Sequence, residues 1–269
     1  MKILKPEKGS ELLTFGGHLE VLRRMLFRVC GLAACVALFV FCFKEETFKL
    51  LLAPSEWDFV TYRWIERVIR YCGGGFHFEE FHVDLIATEL SSQFMTHVTT
   101  AIYLGLLGAS PYIVYELFRF VSPALYENEK KYSVQVVSVV YSLFIIGILM
   151  SYYVLFPVSF CFLGTYSVAE SVRSTITLDS YISTFVTLSL LMGVVFQLPV
   201  IAFFLAKMGI VNSRMLSTYR RHAFLAILII SAVITPPDIL TLVLVAIPLY
   251  LLYEISIWII RRVEKPKKA

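Results

Sequence analysis

Two carboxylates, Glu127 and Glu129, precede two ammonium groups, Lys130 and Lys131, in the segment Phe120-Val-Ser-Pro-Ala-Leu-Tyr-Glu-Asn-Glu129-Lys-Lys131. This short acidic-then-basic loop lies between two long apolar stretches, and the function of the chain is expected to hang on it. The other reactive side chains form no catalytic set. His18, His77, His82, His97 and His222 are scattered, and no H-E-x-x-H or clustered Cys/His spacing suggests a metal. Gly108-Ala-Ser110-Pro111 is the nearest approach to a nucleophile turn, but Pro111 stands where an elbow needs its second glycine. A Pro-kinked packing site of small residues fits it better, and His97 reads as an interior helix residue rather than a base. There is no Gly-rich phosphate loop, so no cofactor is expected, and any work must draw on a partner or on the membrane potential.

The elements that carry these residues are set by composition. With 58% hydrophobic and 16% charged residues, 22 Phe in 269 positions and a mean hydropathy of +0.75, the chain cannot hide its apolar surface in one soluble domain. The expected fold is an all-α integral membrane protein, one polytopic domain over 1–269. Its six transmembrane helices are expected at about 25–43, 94–115, 134–162, 181–206, 223–234 and 239–260. Thr96, His97, Thr99 and Thr100 crowd the start of the second, whose first turns are expected in water or against protein. The fifth is short, about 18 Å against a hydrocarbon core of about 30 Å. Glu254 interrupts the sixth, so the last two helices are both expected to be short, joined by Thr235-Pro-Pro-Asp238, with bilayer thinning or protein cover on that side.

Basic residues orient the chain. Placing both termini in the cytoplasm puts eighteen of the 24 Lys and Arg inside and leaves Lys44, Lys49, Arg63, Arg67, Arg70 and Arg173 outside. The net charge of +4 is then a topological signal, and no basic stripe on a soluble domain points to nucleic acid. The first span runs too long for a cleaved signal and reads as an uncleaved anchor. The one sizeable external loop, 44–93, carries a Cys72-Gly-Gly-Gly75 break and ends that look like amphipathic helices, such as 59–71, lying on the membrane or capping the outer face. Cys42, Cys72 and Cys161 lie near the outer interface, where one disulfide could form in an oxidising compartment. Gln197, two residues before Pro199, is a polar group at a kink inside the fourth span. A small-solute secondary transporter, the alternative function, would line its path with Gln197 and His97. Against it stand the absence of a repeat, of paired broken helices and of charge within the spans.

Five passages together resemble the twin-arginine protein translocase membrane subunit family, TatC. They are His18-Leu-Glu-Val-Leu-Arg-Arg24; Leu52-Ala-Pro54; Pro111-Tyr-Ile-Val-Tyr-Glu-Leu-Phe-Arg-Phe120 running through Pro123 to Lys131; Phe196-Gln-Leu-Pro199; and Thr235-Pro-Pro-Asp238 with Ala246-Ile-Pro-Leu-Tyr-Leu-Leu-Tyr-Glu-Ile255. The resemblance implies a non-catalytic receptor in the cell inner membrane. It would bind twin-arginine signal peptides of folded cargo and assemble with single-span TatA/TatB-type subunits and with other copies of itself. Export would be driven by the proton-motive force. Membrane lipids are the remaining partner.

The same resemblance implies that Glu129 is the signal-binding acid, with Phe120, Pro123, Leu125, Glu20 and Arg23 around it. A partly desolvated, fixed carboxylate suits a guanidinium, at about 1.5 to 3 kcal/mol for each charge-assisted bond. Gln197, Thr235, Asp238 and Pro54 are the implied partner-subunit contacts. Two positions depart from the family pattern. Val21 stands where a second acid is usual, and Glu20 beside it would point roughly 100° away on a helix. Leu242 stands where a polar residue is usual after the Thr-Pro-Pro-Asp turn.

Overall fold

The structure, a computed structural model, describes residues 15–71, 81, 83–121, 133–166, 175–235 and 238–264; side chains within 15–18, 117–121, 133–136 and 263 lie outside that description. Eleven helices are formed among the described residues: α1 Phe15–Cys42, α2 Lys44–Leu52, α3 Val60–Tyr71, α4 Ser92–Val121, α5 Ser133–Met150, α6 Phe156–Thr165, α7 Leu178–Val195, α8 Leu198–Lys207, α9 Ser213–Thr218, α10 Arg220–Ile234 and α11 Ile239–Val263. Five stretches are long and apolar enough to cross a membrane: Leu19–Cys42, Ser92–Glu116, Val137–Thr165, Leu178–Lys207 and Ile239–Arg262. The third joins α5 to α6 through a π-helical turn at Ser151–Leu155, and the fourth joins α7 to α8.

The helices pair antiparallel. Along α1 and α4, Arg28 meets Glu116, Ala33 and Ala37 meet Gly105, and Phe41 stacks on His97. A Cβ on Gly105 would lie 2.6 Å from the Ala37 Cβ and 2.8 Å from the Ala33 carbonyl, so only glycine lets the two backbones approach this closely. Along α5 and α7, Gln197 reaches the Val140 carbonyl, Gly147 lies against the Met192 carbonyl, and Ser189 donates to Ser151. Along α10 and α11, Arg220 meets Glu254 and Phe224 meets Tyr250.

One end of this bundle carries a cap made of α2, a 3₁₀ turn at Ala53–Ser55, α3 and two parallel strands of two residues each, β1 Leu85–Ile86 and β2 Ile176–Thr177. The cap is where the buried core is densest. Tyr181, Phe185, Phe156 and Phe160 pack edge to face or stacked beneath it, with Leu155, Met192, Val245 and Leu249 fully buried alongside.

Prolines explain the irregular turns. A proline has no N–H and its ring presses on the carbonyl four residues back. Pro157 therefore releases the Tyr153 carbonyl, the helix widens there into the π turn, and Thr61 of α3 donates its hydroxyl to that carbonyl. Pro111 likewise releases the Leu107 carbonyl, to which the Ser110 hydroxyl donates at 2.6 Å. At Pro199 the fourth span turns, and Gln197 N–H bonds the Val194 carbonyl in a tighter turn between α7 and α8.

One expectation is decided and two change. Of the two surroundings expected for the start of the second span, water or protein, it has protein, with Thr96 and Thr100 each only 1% exposed. The sixth segment is not short: α11 runs unbroken for 25 residues, because Glu254 is neutralised by the Arg220 guanidinium through two bonds of 2.7 and 2.8 Å and no longer interrupts the apolar run. Of the six segments expected to span, only that of α10, at 15 residues or about 22 Å, falls below a bilayer's hydrocarbon thickness. The small β1–β2 pair adds strands to a fold expected to be all helical, and its neighbourhood is tight: a Cβ on Gly164 at the end of α6 would lie 3.1 Å from Val83.

Replacing Gly105 by valine should force α1 off α4 and cost about 1 to 3 kcal/mol, typical of overpacking. Thermal unfolding of the purified protein in detergent should show a lower midpoint, while an unchanged midpoint would mean that the two helices are not held by this contact.

Candidate functional site

At the end of the bundle opposite the cap, α1 and α4 bring together several charges, of which Glu20 and Arg23 were expected to bind a ligand. Glu20, Arg24 and Arg28 follow at intervals of four on α1 and so share one face. Glu20 accepts from Arg24 in an exposed pair, and Arg28 reaches across to α4, where its guanidinium lies 3.3 Å from Glu116. Glu116 is 4% exposed at its side chain and also accepts from the Tyr112 hydroxyl at 2.8 Å. Burying a carboxylate in an apolar helix is costly unless it is paired and hydrogen-bonded, and Arg28 and Tyr112 supply those contacts. Arg23, on the neighbouring face, sits over the Phe27 ring at 5.6 Å.

Glu20 is thus committed to its own helix, and Val21 is an exposed apolar residue. Phe120 lies in the last turn of α4, a few residues below Glu116, but its side chain, with Pro123, Leu125 and Glu129, lies outside the described residues, as does Glu127. Glu116 was not singled out from the sequence. The signal was available, an acid inside a 30-residue apolar helix and one turn after a tyrosine, but its cation is 88 positions away on α1.

The residues expected to meet a partner helix are engaged within the chain. Asp238 caps α11, accepting from the Thr241 N–H at 2.7 Å and from the Thr241 hydroxyl. Thr235 closes α10 by donating to the Ser231 carbonyl, at 2.9 Å. Pro54 is buried in the cap, its carbonyl 2.9 Å from the Tyr62 hydroxyl, so a partner would reach it only by displacing Tyr62. Gln197 donates to the Val140 and Gly193 carbonyls at 3.1 and 3.4 Å, while its buried Oε1 and the Ser231 hydroxyl have no partner among the described residues. Beside Asp238, an apolar groove of about 860 Å³ runs between the ends of α6 and α11, lined by Phe162, Tyr166, Ile239, Val243 and Ile247. Next to it α10 exposes Leu225, Ile229 and Val233.

Ser110, buried inside α4 and bonded to the Leu107 carbonyl, has the surroundings of a helix-kink residue rather than of a nucleophile. His97 is stacked on Phe41, with ring centroids 4.1 Å apart, and is met edge-on by Phe48; its Nε2 and the neighbouring Thr96 and Thr100 hydroxyls are buried without partners among the described residues. Cys30, Cys35, Cys42 and Cys161 carry free thiols, and Cys72 lies outside the described residues.

The comparison with known proteins covers nearly all of this architecture. The family model for the Sec-independent protein translocase protein, TatC, matches residues 17–248. The TatC protein of Blattabacterium from Periplaneta americana is 33% identical over 268 residues, covering 98% of this chain and 100% of its own length. TatCy of Bacillus subtilis is 38% identical over 181 residues, covering 67% of this chain and 71% of its own. A crystal structure of the twin-arginine translocase receptor TatC superposes with a TM-score of 0.72 at 28% identity, covering 92% of this chain and 100% of that one. By its sequence from the first span to the last, and by the helix arrangement built on it, this chain belongs to the TatC family of Sec-independent protein translocase subunits.

Proposed function

We propose that this chain is the signal-peptide receptor of a twin-arginine translocation complex, a single six-span domain in the cell inner membrane with both termini in the cytoplasm. The observation that carries this reading is the match, over 92% of the chain, to a solved protein described as the twin-arginine translocase receptor. In this topology α10 is the fifth span, and its 15 residues imply a locally thinned bilayer. The eighteen-to-six charge asymmetry and the Glu129 loop at the cytoplasmic end of α4 agree with it.

In this reading Glu129 takes a guanidinium of the paired arginines, Pro123 turns the loop, and Phe120 and Leu125 seat the apolar part of the peptide. Glu20 and Arg23 flank the site from α1. Single-span TatA/TatB-type subunits and further copies of the chain would dock along Gln197, Thr235, Asp238 and the exposed side of α10, and Pro54 would act from inside the cap. No ATP chemistry enters: the proton-motive force drives export, and its potential part contributes about 2.3 kcal/mol per charge per 100 mV. The solute-transporter reading has less behind it, since Gln197 is bonded to α5 and His97 is packed between phenylalanines.

Two expected outcomes follow from these roles. Glu129→Gln should weaken binding of a labelled Arg-Arg signal peptide to the purified protein by about 10- to 100-fold, the loss of one charge-assisted bond. It should abolish export of twin-arginine cargo at normal protein levels, whereas unchanged binding and export would remove the site. Cysteines at position 197 or along the exposed side of α10 should crosslink to a single-span subunit in membranes; the absence of any adduct at all of them would place the partner elsewhere.

A further inference from the structure

The outer cap has a surface that the translocase reading does not use. Helix α3 carries three different faces, separable at 100° per residue. Phe59, just ahead of the helix, with Tyr62, Glu66 and Ile69 faces the protein. Val60, Trp64, Val68 and Tyr71, spaced three or four apart on nearly the opposite side, form an apolar stripe exposed at 57, 62, 41 and 94%, and Trp57, 45% exposed, lies in the turn just ahead of the helix. Arg63, Arg67 and Arg70 line one flank of that stripe. Arg63 makes a solvent-exposed pair with Asp58 at 3.2 Å, a contact worth little in water, and Arg70 reaches the half-buried Glu66 at a long 3.7 Å. Arg67 has no carboxylate partner among the described residues.

The level of α3 along the bundle is fixed by its bonds. Thr61 donates to the Tyr153 carbonyl, the Tyr62 hydroxyl lies 2.9 Å from the Pro157 carbonyl, and Phe59 stacks on Tyr153 with ring centroids 6.0 Å apart. Counted from position 134, where the third span is expected to begin, Tyr153 and Pro157 are about 29 and 35 Å along the helix axis. One hydrocarbon thickness is about 30 Å. Helix α3 therefore lies at the outer edge of the hydrocarbon, and the remainder of α6 rises beyond it under the β1–β2 pair. Two tryptophans and a tyrosine at that depth, with arginines on one flank, are the pattern of an interfacial helix that meets anionic headgroups.

We infer that α3 is a lipid-binding helix: Trp57, Val60, Trp64, Val68 and Tyr71 sit among the upper acyl chains, and Arg63, Arg67 and Arg70 bind the phosphates of anionic phospholipids. This seats the cap on the bilayer and sets its depth. It does not depend on the receptor role, since it needs only a bilayer around the spans.

The test uses the full chain in nanodiscs. In a Trp258→Phe variant only Trp57 and Trp64 fluoresce, because the chain has 3 tryptophans. Bromines near the top of the acyl chains should quench this emission more than bromines near the bilayer centre; no quenching by either, with full access to aqueous iodide, would overturn the proposal and leave the stripe to a protein partner. In the second arm, spin-labelled phosphatidylglycerol should be preferred over phosphatidylcholine by wild type, and the triple variant Arg63→Gln, Arg67→Gln, Arg70→Gln should lose about tenfold of that preference. Soluble glycerol phosphate should not compete, which separates a headgroup in a bilayer from free phosphate. A triple variant with wild-type melting and undiminished lipid preference would overturn the arginine assignment.

Discussion

A carbonyl released by proline inside a lipid-spanning helix must find another donor, because there is no water in the hydrocarbon to supply one. Much of this molecule's tertiary order follows from that requirement. Pro157 releases the Tyr153 carbonyl, and the donor comes from Thr61, 92 positions earlier in the chain. Tyr62 then reaches the Pro157 carbonyl on one side and the Pro54 carbonyl on the other, so one phenol ties the cap to the bundle and the 3₁₀ turn to α3. Burial pushes that phenol well above its usual pKa, and it remains a neutral donor. Tyr181 and Tyr152 repeat the device, donating to the Leu51 and Leu50 carbonyls of α2.

The opposite end is organised by charge, with tyrosines in support. Arg28 with Glu116, Arg220 with Glu254, and Glu264 accepting from Ser213 each join elements far apart in the chain. Arg220 is held by two parallel bonds and Tyr253 donates to the Leu216 carbonyl beside it, so α9, α10 and α11 form one tied corner. By contrast α1 packs chiefly on α4, through small residues along its middle and one ion pair near its base. An apolar helix with one neighbour leaves most of its surface to lipid or to another chain.

The same division of labour suits a protein that must hold a rigid frame and present open helix faces. The core under the cap is aromatic and dense, and the exposed sides of α10 and α11 carry Ile, Leu and Val. In a bilayer such faces are compatible with lipid.

Membrane insertion, the identity of most spans and the family were legible in the amino-acid order, because apolar run length and local motifs are properties of contiguous residues. The amphipathic segment at 59–71 was legible for the same reason, and it is α3. The length of the last span was not: Glu254 reads as an interruption until Arg220, 34 positions earlier, is brought beside it. Asp238 and Thr235 read as partner contacts; that each is also bonded to its own helix end is visible only in the structure. Glu116 passed unnoticed because the guanidinium that permits its burial comes from α1. Local pattern determines which segments enter the membrane; whether a polar group inside it is a defect, a cap or a site depends on which distant partner the packing delivers.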